Sequence, residues 1–349
     1  MADIDSAPKA SSRNARAAHT VTAHDVARVA GVSAITVSRA LNTPHQVAAE
    51  TLRRVQAAIA QTGYVPNLLA KSLNANTSTR LVAAVVPTIS GPIFAASMQA
   101  LTKALAAERY QLMLGQTFYE AGREDDLLDA IIGRRPDGIV LTGVMHSALG
   151  RRRLQAAGIP VVETWDLTDD PIDMVVGFSH EKVGAAVCDF LHRKGCRRIA
   201  VIAARDVRAE RRTAAFQKHA RTLGLPEVPV VFAEAPGTLA GGRVCFAQLM
   251  ALQPDTDAVF CSSDMLALGA LTEAQALGIS IPERMAVVGF GDLDFARSLH
   301  PALASVRVDG DAIGGQAARF IIDAAQGKPI AERVVDVGFT IVDRHSSER

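Results

Sequence analysis

Residues 25–42 read Asp25-Val-Ala-Arg-Val-Ala-Gly-Val-Ser-Ala-Ile-Thr-Val-Ser-Arg-Ala-Leu-Asn42. The first apolar residues recur at helical spacing and predict a short helix, which ends at Gly31 because glycine tolerates the left-handed backbone found there. Ser33 offers a side-chain oxygen to cap a second helix, whose inner face carries Val37 and Leu41. Two short helices joined by a tight turn at this spacing are typical of a helix-turn-helix.

The flanking residues extend this pattern to a small helical bundle. Thr22, followed three residues later by a carboxylate, predicts the N-terminal cap of the first helix. Residues 46–62 carry apolar side chains three and four apart and predict a third helix, closed by Gly63. We therefore predict a helical domain at residues 21–65, preceded by a disordered, Ser/Ala-rich tail at residues 1–20.

Polar side chains on the outer face of the second helix point to contact with DNA. The guanidinium of Arg39 can bind guanine O6 and N7 together, and short hydroxyl and amide side chains suit base edges or phosphate oxygens. Ala34 and Ile35 have no hydrogen-bonding side chain, so they either contact a base through apolar groups or do not contact one. A three-helix bundle without DNA contacts would show a similar pattern, and from these residues alone that alternative stays open. The candidate DNA-contacting residues of the bundle are Thr22, His24, Ser33, Ala34, Ile35, Thr36, Ser38, Arg39 and Asn42.

After a polar linker, short apolar runs alternate with amphipathic helices. This alternation predicts parallel βαβ units. The extended piece at residues 174–178 falls between two similar series, so we expect two doubly wound lobes with a ligand at the carboxyl ends of their strands. The other predicted strands occupy residues 81–87, 111–114, 138–141, 160–162, 199–203, 228–232, 258–261 and 285–288.

Composition and charge limit the functional classes. Of the 349 residues, 49% are hydrophobic and 21% charged, as in multi-domain globular proteins. Residues 1–80 contain nine Lys/Arg and four Asp/Glu, whereas the remainder contains 28 and 32, so a basic head precedes a mildly acidic body. The chain has neither a signal-peptide hydrophobic run nor a membrane span of roughly 18 residues. The four cysteines lack the spacing of zinc ligands and are expected to be reduced core thiols: Cys188, Cys196, Cys245 and Cys261. We expect a cytoplasmic protein without membrane, metal or cofactor.

A family resemblance covers the N-terminal part. Residues 21–73, with Tyr64-Val-Pro-Asn67 and Ala70-Lys-Ser-Leu73 in register, resemble the headpiece and hinge helix of the LacI/GalR family of bacterial repressors. The resemblance implies that the second helix lies in the major groove of double-stranded operator DNA. It also implies that Leu73 enters the minor groove at a dimer axis, with Asn67 as a phosphate contact and hinge cap. Two symmetric wedges imply a homodimer on a near-palindromic operator.

The resemblance continues to the C-terminus. Gly177-Phe-Ser-His-Glu181, Cys261-Ser-Ser-Asp-Met-Leu-Ala-Leu-Gly269 and Val287-Val-Gly-Phe-Gly-Asp292 are similar to the periplasmic-binding-protein-like core of the family. Pro44 to Val47 and Val337-Gly-Phe-Thr340 resemble gluconate-utilisation repressors within it. The implied fold is an all-α helix-turn-helix headpiece with a hinge helix, followed by an α/β core of two doubly wound parallel-sheet lobes. The implied boundaries are hinge and linker 66–79 and effector-binding domain 80–345, with one lobe at 80–178 and 308–336 and the other at 179–307 and 337–345.

Four arginines follow the predicted strand at residues 199–203. A guanidinium at this strand end can face the cleft and bind a carboxylate through two parallel hydrogen bonds, so an anionic effector is expected. By register with the family, Arg212 holds the effector and Arg208 is the next candidate. A solvated basic helix face accounts for Arg211 and stays an alternative for Arg205.

Polar residues at the other strand ends suit a polyhydroxylated ligand. Glu163 and Asp166 are equally plausible as ligand contacts or solvent-facing caps, and Asp264 either contacts the ligand or caps the following helix. Trp165 can stack on a sugar ring, although tryptophan is more often a core residue. The candidate effector-binding residues are Gln116, Thr142, Glu163, Asp166, Arg208, Arg212, Ser263, Asp264 and Asp292.

An enzyme and an extracytoplasmic sugar-binding protein are the alternative classes. The sequence lacks the G-x-G-x-x-G, G-x-x-x-x-G-K-[ST], G-x-S-x-G and H-E-x-x-H motifs. We interpret His180 and Glu181 as a capping pair at a helix start and not as an acid–base pair. A sugar-binding protein would match the two lobes but not the helix-turn-helix. We therefore expect a non-enzymatic transcriptional regulator.

The expected switch is release from the operator when a sugar acid, gluconate by resemblance, moves the lobes and separates the hinges. A neutral sugar or a corepressor is the alternative effector. We expect a dimer and not a tetramer, because the C-terminus has no apolar heptads. The helix from Pro92 to Ala107, with Phe94, Met98, Leu101 and Leu105, forms the dimer interface or packs inside its lobe.

Overall fold

The computed structural model describes residues 21–66, 78–120 and 122–348, and the chain separates into two units between Thr77 and Ser78. The predicted tail at 1–20 and the predicted hinge helix, with Asn67 and Leu73, lie outside the described residues. We call the described part of the first unit the headpiece and that of the second unit the core.

The headpiece contains three α-helices: α1 (Ala23–Ala30), α2 (Ala34–Asn42) and α3 (Ala49–Thr62). Thr22 caps α1 in a capping box with Asp25, as predicted, and Ser33 caps α2. The third helix was expected to begin at Gln46, but Pro44–Gln46 form a 3₁₀ turn and the α-helix starts three residues later. Proline at the first position of this turn favours its tight backbone. Buried Val26, Val37 and Val55 join the helices.

Two six-stranded sheets form the core. The first sheet has the order β2-β1-β3-β4-β5-β11, and all its neighbouring strands are parallel. Its strands are β1 (Leu81–Val86), β2 (Gln111–Gln116), β3 (Gly138–Thr142), β4 (Val161–Thr164), β5 (Met174–Gly177) and β11 (Val334–Asp336).

The second sheet has the order β7-β6-β8-β9-β10-β12, with only the edge strand β12 antiparallel to its neighbour. Its strands are β6 (Ile199–Ala204), β7 (Val230–Ala233), β8 (Ala258–Cys261), β9 (Ala286–Phe290), β10 (Ala304–Arg307) and β12 (Thr340–Val342). We call the parts of the core built on these sheets the first and second lobes. The predicted doubly wound, two-lobed class is confirmed.

Helices cover both sheets. They are α4 (Ala95–Ala107), α5 (Arg123–Ile132), α6 (Ala148–Ala157), α7 (His180–Arg193), α8 (Val207–Thr222), α9 (Leu239–Leu252), α10 (Asp264–Ala276) and α11 (Gly310–Ala325). The chain enters the second lobe between β5 and α7 and returns to the first lobe with α11, which packs against α4. It crosses once more between β11 and β12.

Three strands were missed by the sequence analysis: β10, β11 and β12. They have four, three and three residues, and the last two are partly exposed at sheet edges. Runs this short carry little periodicity, so sequence pattern alone does not separate them from loops.

The helix proposed for dimerisation packs into its own lobe. Phe94, Leu101 and Leu105 are at most 5% exposed in the single chain, and Met98 is half-buried. The described structure therefore supports the intralobe alternative for these side chains.

The four cysteines are buried free thiols. Within the described residues, no helix combines the length and apolar character that a membrane span requires.

Candidate functional site

The outer face of α2 presents the predicted DNA-contacting side chains. Val37 and Ala40 face the headpiece core, whereas Arg39, Ser38 and Asn42 are exposed and Ile35 is 66% exposed. Within the described residues, the guanidinium of Arg39 has no hydrogen bond or ion pair, so all its donors remain available. The other candidates are exposed or half-buried: Thr22, His24, Ser33, Ala34 and Thr36.

Some of these hydroxyl groups already have partners in the fold. Ser33 Oγ lies 2.9 Å from Thr36 Oγ1 and accepts from the Thr36 backbone N–H at 3.2 Å. Thr22 Oγ1 donates to Asp25 at 2.8 Å. These contacts fix the starts of the two helices and hold the exposed face of α2 in place.

Arg54 is a headpiece residue that the sequence analysis missed. Its guanidinium donates from α3 to the carbonyl of Ala30, with Nε at 3.1 Å, and to the carbonyl of Gly31. A cation at the end of α1 also complements the helix dipole. The contact joins residues more than 20 positions apart in the sequence, so no local pattern indicates it.

The main cavity of the core lies between the lobes and has an empty volume of about 690 Å³, including its mouth. The first lobe contributes the 3₁₀ turn Pro92–Phe94, Tyr119 and Trp165. The second lobe contributes residues from strand ends and helix starts, as predicted for doubly wound folds. These are His180, Ala204, Asp206, Arg208, Arg212, Pro236, Gly237, Ser262, Ser263, Met265, Phe290 and Leu293.

Arg212 is the most buried cation of this cavity. Its side chain, on α8, is 4% exposed, and its guanidinium lies 4.0 Å from the centre of the Phe290 ring. Nη2 donates to the Ser262 carbonyl at 3.1 Å, and Nη1 donates to Nδ1 of His180 at 3.0 Å. Nε has no hydrogen-bond partner among the described residues. Burial lowers the pKa of Arg212 to about 10, so the group stays protonated at neutral pH.

His180 holds Arg212 as a neutral ring. Because Arg212 can only donate, Nδ1 is the acceptor, and the ring proton sits on Nε2, which donates to the Trp165 carbonyl at 3.0 Å. Burial and the Arg212 guanidinium lower the pKa of His180 far below its ordinary value. The predicted capping role is wrong for His180, because Ser179 Oγ caps α7 by accepting from the Lys182 N–H.

A second, outer cavity adjoins the first and has an empty volume of about 1030 Å³, including its mouth. Tyr119, Asp206 and Arg208 line both cavities, so the two are neighbours. Arg208 donates from the second lobe to the Thr142 carbonyl of the first lobe at 3.0 Å. Thr142 Oγ1 is buried and has no partner among the described residues.

Asp166 also lines the outer cavity, but its carboxylate is already engaged. It pairs with Arg211 of α8 at 2.6 Å and accepts from the Leu167 N–H. Burial raises the pKa of Asp166 in spite of this partner. Arg211 also pairs with Glu181 at 2.7 Å. The interpretation of Arg211 as a solvated surface residue is therefore wrong, since it joins the two lobes.

Two predicted effector residues are occupied by structural contacts and line neither cavity. Glu163 is fully buried, and its two oxygens accept from the backbone N–H groups of Met145 and Ile172. Asp292 pairs with Arg307 and Arg344, both at 2.6 Å. Neither carboxylate is directed to the cleft, because nearby loop amides and arginines hold it.

Three further candidates, Asp264, Ser263 and Gln116, differ in where they lie relative to the two cavities. Asp264 is fully buried and accepts from Ser305 Oγ at 2.6 Å and from the Leu293 N–H at 2.7 Å, so it faces the lobe interior. The cap of α10 is Ser263, which lines the main cavity. Gln116 ends β2 but lines neither cavity.

The cavity has an aromatic wall, of which only Trp165 was considered from the sequence as a partner for a sugar ring. Trp165 is 4% exposed, donates from Nε1 to Ser97 Oγ at 3.0 Å and packs edge-on against Phe94 and Phe178. It is thus a core residue whose ring also borders the cavity. Tyr119, Phe94 and Phe290 lie far apart in sequence, and only the closed fold brings them together.

Comparisons with known proteins identify both units. The model of bacterial regulatory proteins of the lacI family matches residues 22–67, and that of a periplasmic binding protein-like domain matches residues 188–347. The HTH-type transcriptional regulator GntR of Pseudomonas aeruginosa is 35% identical over 337 residues, covering 96% of this chain and 98% of the relative.

Solved structures agree with this assignment. A LacI-family transcriptional regulator from Silicibacter pomeroyi superposes with a TM-score of 0.89 at 31% identity, covering 94% of this chain and all of that chain. The transcriptional regulator CelR in complex with cellobiose gives 0.68 at 27% identity, covering 93% and 99%. From its N-terminal helix-turn-helix to its two-lobed core, this chain belongs to the LacI family of bacterial transcriptional regulators.

Proposed function

We propose that this regulator is a homodimeric repressor that leaves a pseudo-palindromic operator when a sugar acid, with gluconate as the first candidate, binds between its lobes. The observation that carries the effector class is Arg212, a buried, protonated guanidinium with an unpartnered Nε–H in the main cavity. Among the described residues Arg212 has no direct ion pair, and because burying a cation without one is costly, a ligand carboxylate would supply it. The GntR name of the relative is consistent with this choice.

The charge of the main cavity supports an acid over a neutral sugar. Arg208 and Arg212 line it, and among the residues that the structure describes Asp206 is its one lining carboxylate. Asp206 is already used as the cap of α8, accepting from the N–H groups of Arg208 and Ala209. The neutral ring of His180 adds no charge. The cavity therefore has an excess of positive charge for an anionic ligand.

On the DNA side, we propose that α2 enters the major groove with Arg39 as the base reader. Its exposed, unpaired guanidinium supports this role. We propose Asn67 and Leu73 as phosphate contact and minor-groove wedge from the family resemblance alone.

Isothermal titration of the purified protein with gluconate, 2-ketogluconate, galactose and sorbitol tests the effector class. Sorbitol has the hydroxyl groups of gluconate but no carboxylate. We expect a sugar acid to bind and sorbitol not to bind. Arg212→Ala should remove the binding, whereas Arg221→Ala, on an exposed part of the same helix, should leave it unchanged.

The second candidate effector is a neutral sugar, which the cellobiose complex of CelR favours. If galactose or sorbitol binds and the acids do not, the effector is a neutral sugar, and the proposal that Arg212 binds a ligand carboxylate is rejected. An operator titration with and without the bound ligand then distinguishes an inducer, which weakens DNA binding, from a corepressor, which strengthens it.

A further inference from the structure

The two adjoining cavities differ in charge. The main cavity is lined by Arg208, Arg212 and one carboxylate, Asp206. The outer cavity is lined by five carboxylates and two arginines. A ligand that extends through both would therefore meet opposite electrostatic environments at its two ends.

The arginines of the outer cavity are already engaged. Arg208 donates to the Thr142 carbonyl and stacks over the Phe94 ring at 5.3 Å. Arg205 stacks over Phe232 at 4.8 Å and lies 3.9 Å from the Glu234 carboxylate. Both guanidinium groups therefore already have protein contacts, Arg208 across the lobes and Arg205 with an exposed glutamate and a phenylalanine ring.

Only some of the carboxylates of the outer cavity have an arginine as ion-pair partner. Asp166 and Glu120 have arginine partners, Arg211 and Arg123. Glu124 and Glu210 have no ion pair within the described residues. Burial, followed by the neighbouring Asp125 carboxylate, raises the pKa of Glu124 against the lowering effect of Arg208.

We propose that the effector carries a single anionic group, held at the Arg212 end, and that the outer cavity accepts an uncharged polyol and excludes a terminal phosphate. This rests on the proposed function, since it takes the effector to be a sugar acid. The unpartnered Thr142 Oγ1 offers a hydrogen bond to a ligand hydroxyl in the outer cavity. A phosphate in the same place would meet five carboxylates and two arginines, so the excess of negative charge in this cavity opposes its binding.

The test compares gluconate with 6-phosphogluconate by isothermal titration of the full chain. Both carry the same carboxylate and hydroxyl groups up to the terminal carbon, so their difference reports the outer cavity. We expect 6-phosphogluconate to bind at least about tenfold more weakly, because its phosphate would face an excess of carboxylates in the outer cavity. The double variant Glu124→Gln/Glu210→Gln should reduce this ratio of affinities, which is measured within each variant so that a change common to both ligands cancels.

Glu283→Gln, an exposed glutamate of the second lobe outside both cavities, is the matched control and should leave the ratio unchanged. Equal or tighter binding of 6-phosphogluconate by the unmodified protein would overturn the inference while leaving the sugar-acid proposal intact. A ratio unchanged in the double variant would show that these carboxylates do not set the selectivity. If neither acid binds, the proposed function fails, and this inference fails with it.

Discussion

His180 connects the proposed effector site to the first lobe through two hydrogen bonds of one ring. It accepts from Arg212 and donates to the Trp165 carbonyl. His180→Phe keeps an aromatic ring but removes both nitrogens, so Arg212 loses its acceptor. We expect gluconate affinity to fall about tenfold, the usual effect of losing a hydrogen bond to a charged group.

His180→Asn is the matched variant, because its amide oxygen can take the place of Nδ1. It should retain more affinity than His180→Phe in the same titration, with melting temperatures measured to separate folding from binding. Equal affinity of the two variants and the unmodified protein would show that His180 does not position Arg212.

Asp264 gives the core a defined pH dependence. Burial raises the pKa of its carboxyl to about 6 in the folded chain, from an ordinary value near 3.8. Between these values the folded state binds more protons than the unfolded state, so the stability contributed by this group falls as pH rises. From pH 5 to pH 7 the loss is roughly 1 kcal/mol.

Asp264→Asn removes this titration and can still accept one of the two hydrogen bonds. We expect the free energy of unfolding of the variant, relative to the unmodified protein, to rise between pH 5 and pH 7 in urea titrations. A constant difference across this range would contradict the raised pKa. The comparison between variants cancels other titrating groups, including His180.

The sequence allows the positions of some site residues to be predicted but not those of others. Four arginines follow a buried strand whose carboxyl end is expected to face the cleft, and the family resemblance selected Arg208 and Arg212 among them. Glu163 and Asp292 have the same sequence context but face loop amides and arginines instead. Their orientation depends on the paths of distant loops, which no local pattern records.

At the scale of elements, the α7–α8 contact sets the position of the proposed carboxylate clamp. An ideal Cβ at Gly184 of α7 would lie 2.1 Å from the Arg212 carbonyl oxygen and 2.9 Å from the Phe216 nitrogen. Gly184→Ala should therefore push α8 outward, cost about 1–3 kcal/mol of stability and weaken gluconate binding.

Gly315→Ala on α11 is the matched control, because its nearest neighbour, an Arg319 side-chain atom, lies 3.6 Å from the ideal Cβ. It should leave binding unchanged and raise stability by up to about 1 kcal/mol through helix propensity. Chemical denaturation and titration calorimetry measure both effects. If the two alanine variants had the same stability and the same gluconate affinity, the close contact between α7 and α8 would be contradicted.

The C-terminal residues are a further element whose role differs from expectation. Residues 343–349 are all polar, but Ser346 and Ser347 are fully buried. Ser346 Oγ donates to the Val287 carbonyl at 2.7 Å and accepts from the Ala304 N–H at 2.8 Å. It thus bridges β9 and β10.

Ser346→Ala should cost about 1–3 kcal/mol, because it leaves two buried backbone groups without their partner. Ser298→Ala, at an exposed position of the same lobe, should be near neutral. Urea denaturation of the two variants tests the difference. A near-neutral Ser346→Ala would show that the C-terminal contacts do not stabilise the second lobe.

Most elements were predictable because they carry a clear period. The capped helices of the headpiece and the apolar β-strands of five or six residues match their predicted positions within a few residues. The strands that were missed, β10, β11 and β12, have four, three and three residues and are defined by pairing with other strands. That pairing is a property of the closed fold.

At the scale of the whole molecule, the proposed switch requires reciprocal coupling. If gluconate weakens operator binding by some factor, saturating operator must weaken gluconate binding by the same factor, typically 5- to 150-fold. We expect this loss for the full chain. The core unit alone, residues 78–349, should bind gluconate with equal affinity in the presence or absence of operator, since it lacks the headpiece.

Titration calorimetry with a short operator duplex measures both cases. Gluconate affinity that is independent of operator in the full chain would reject the proposed switch, even if gluconate binds. A shift in the isolated core would place DNA contacts outside the headpiece.

The repeated crossing of the chain between lobes has a consequence for biosynthesis. Each sheet is completed by a strand near the C-terminus, β11 for the first and β12 for the second. On a ribosome that makes the chain from its N-terminus, the headpiece helices emerge long before either sheet can close. A nonsense codon between residues 80 and 334 would therefore release a polypeptide that keeps α2, the helix proposed to contact DNA, but completes neither sheet. We expect proteases to degrade such a fragment, so that it would not persist as a DNA-binding protein that no effector can release.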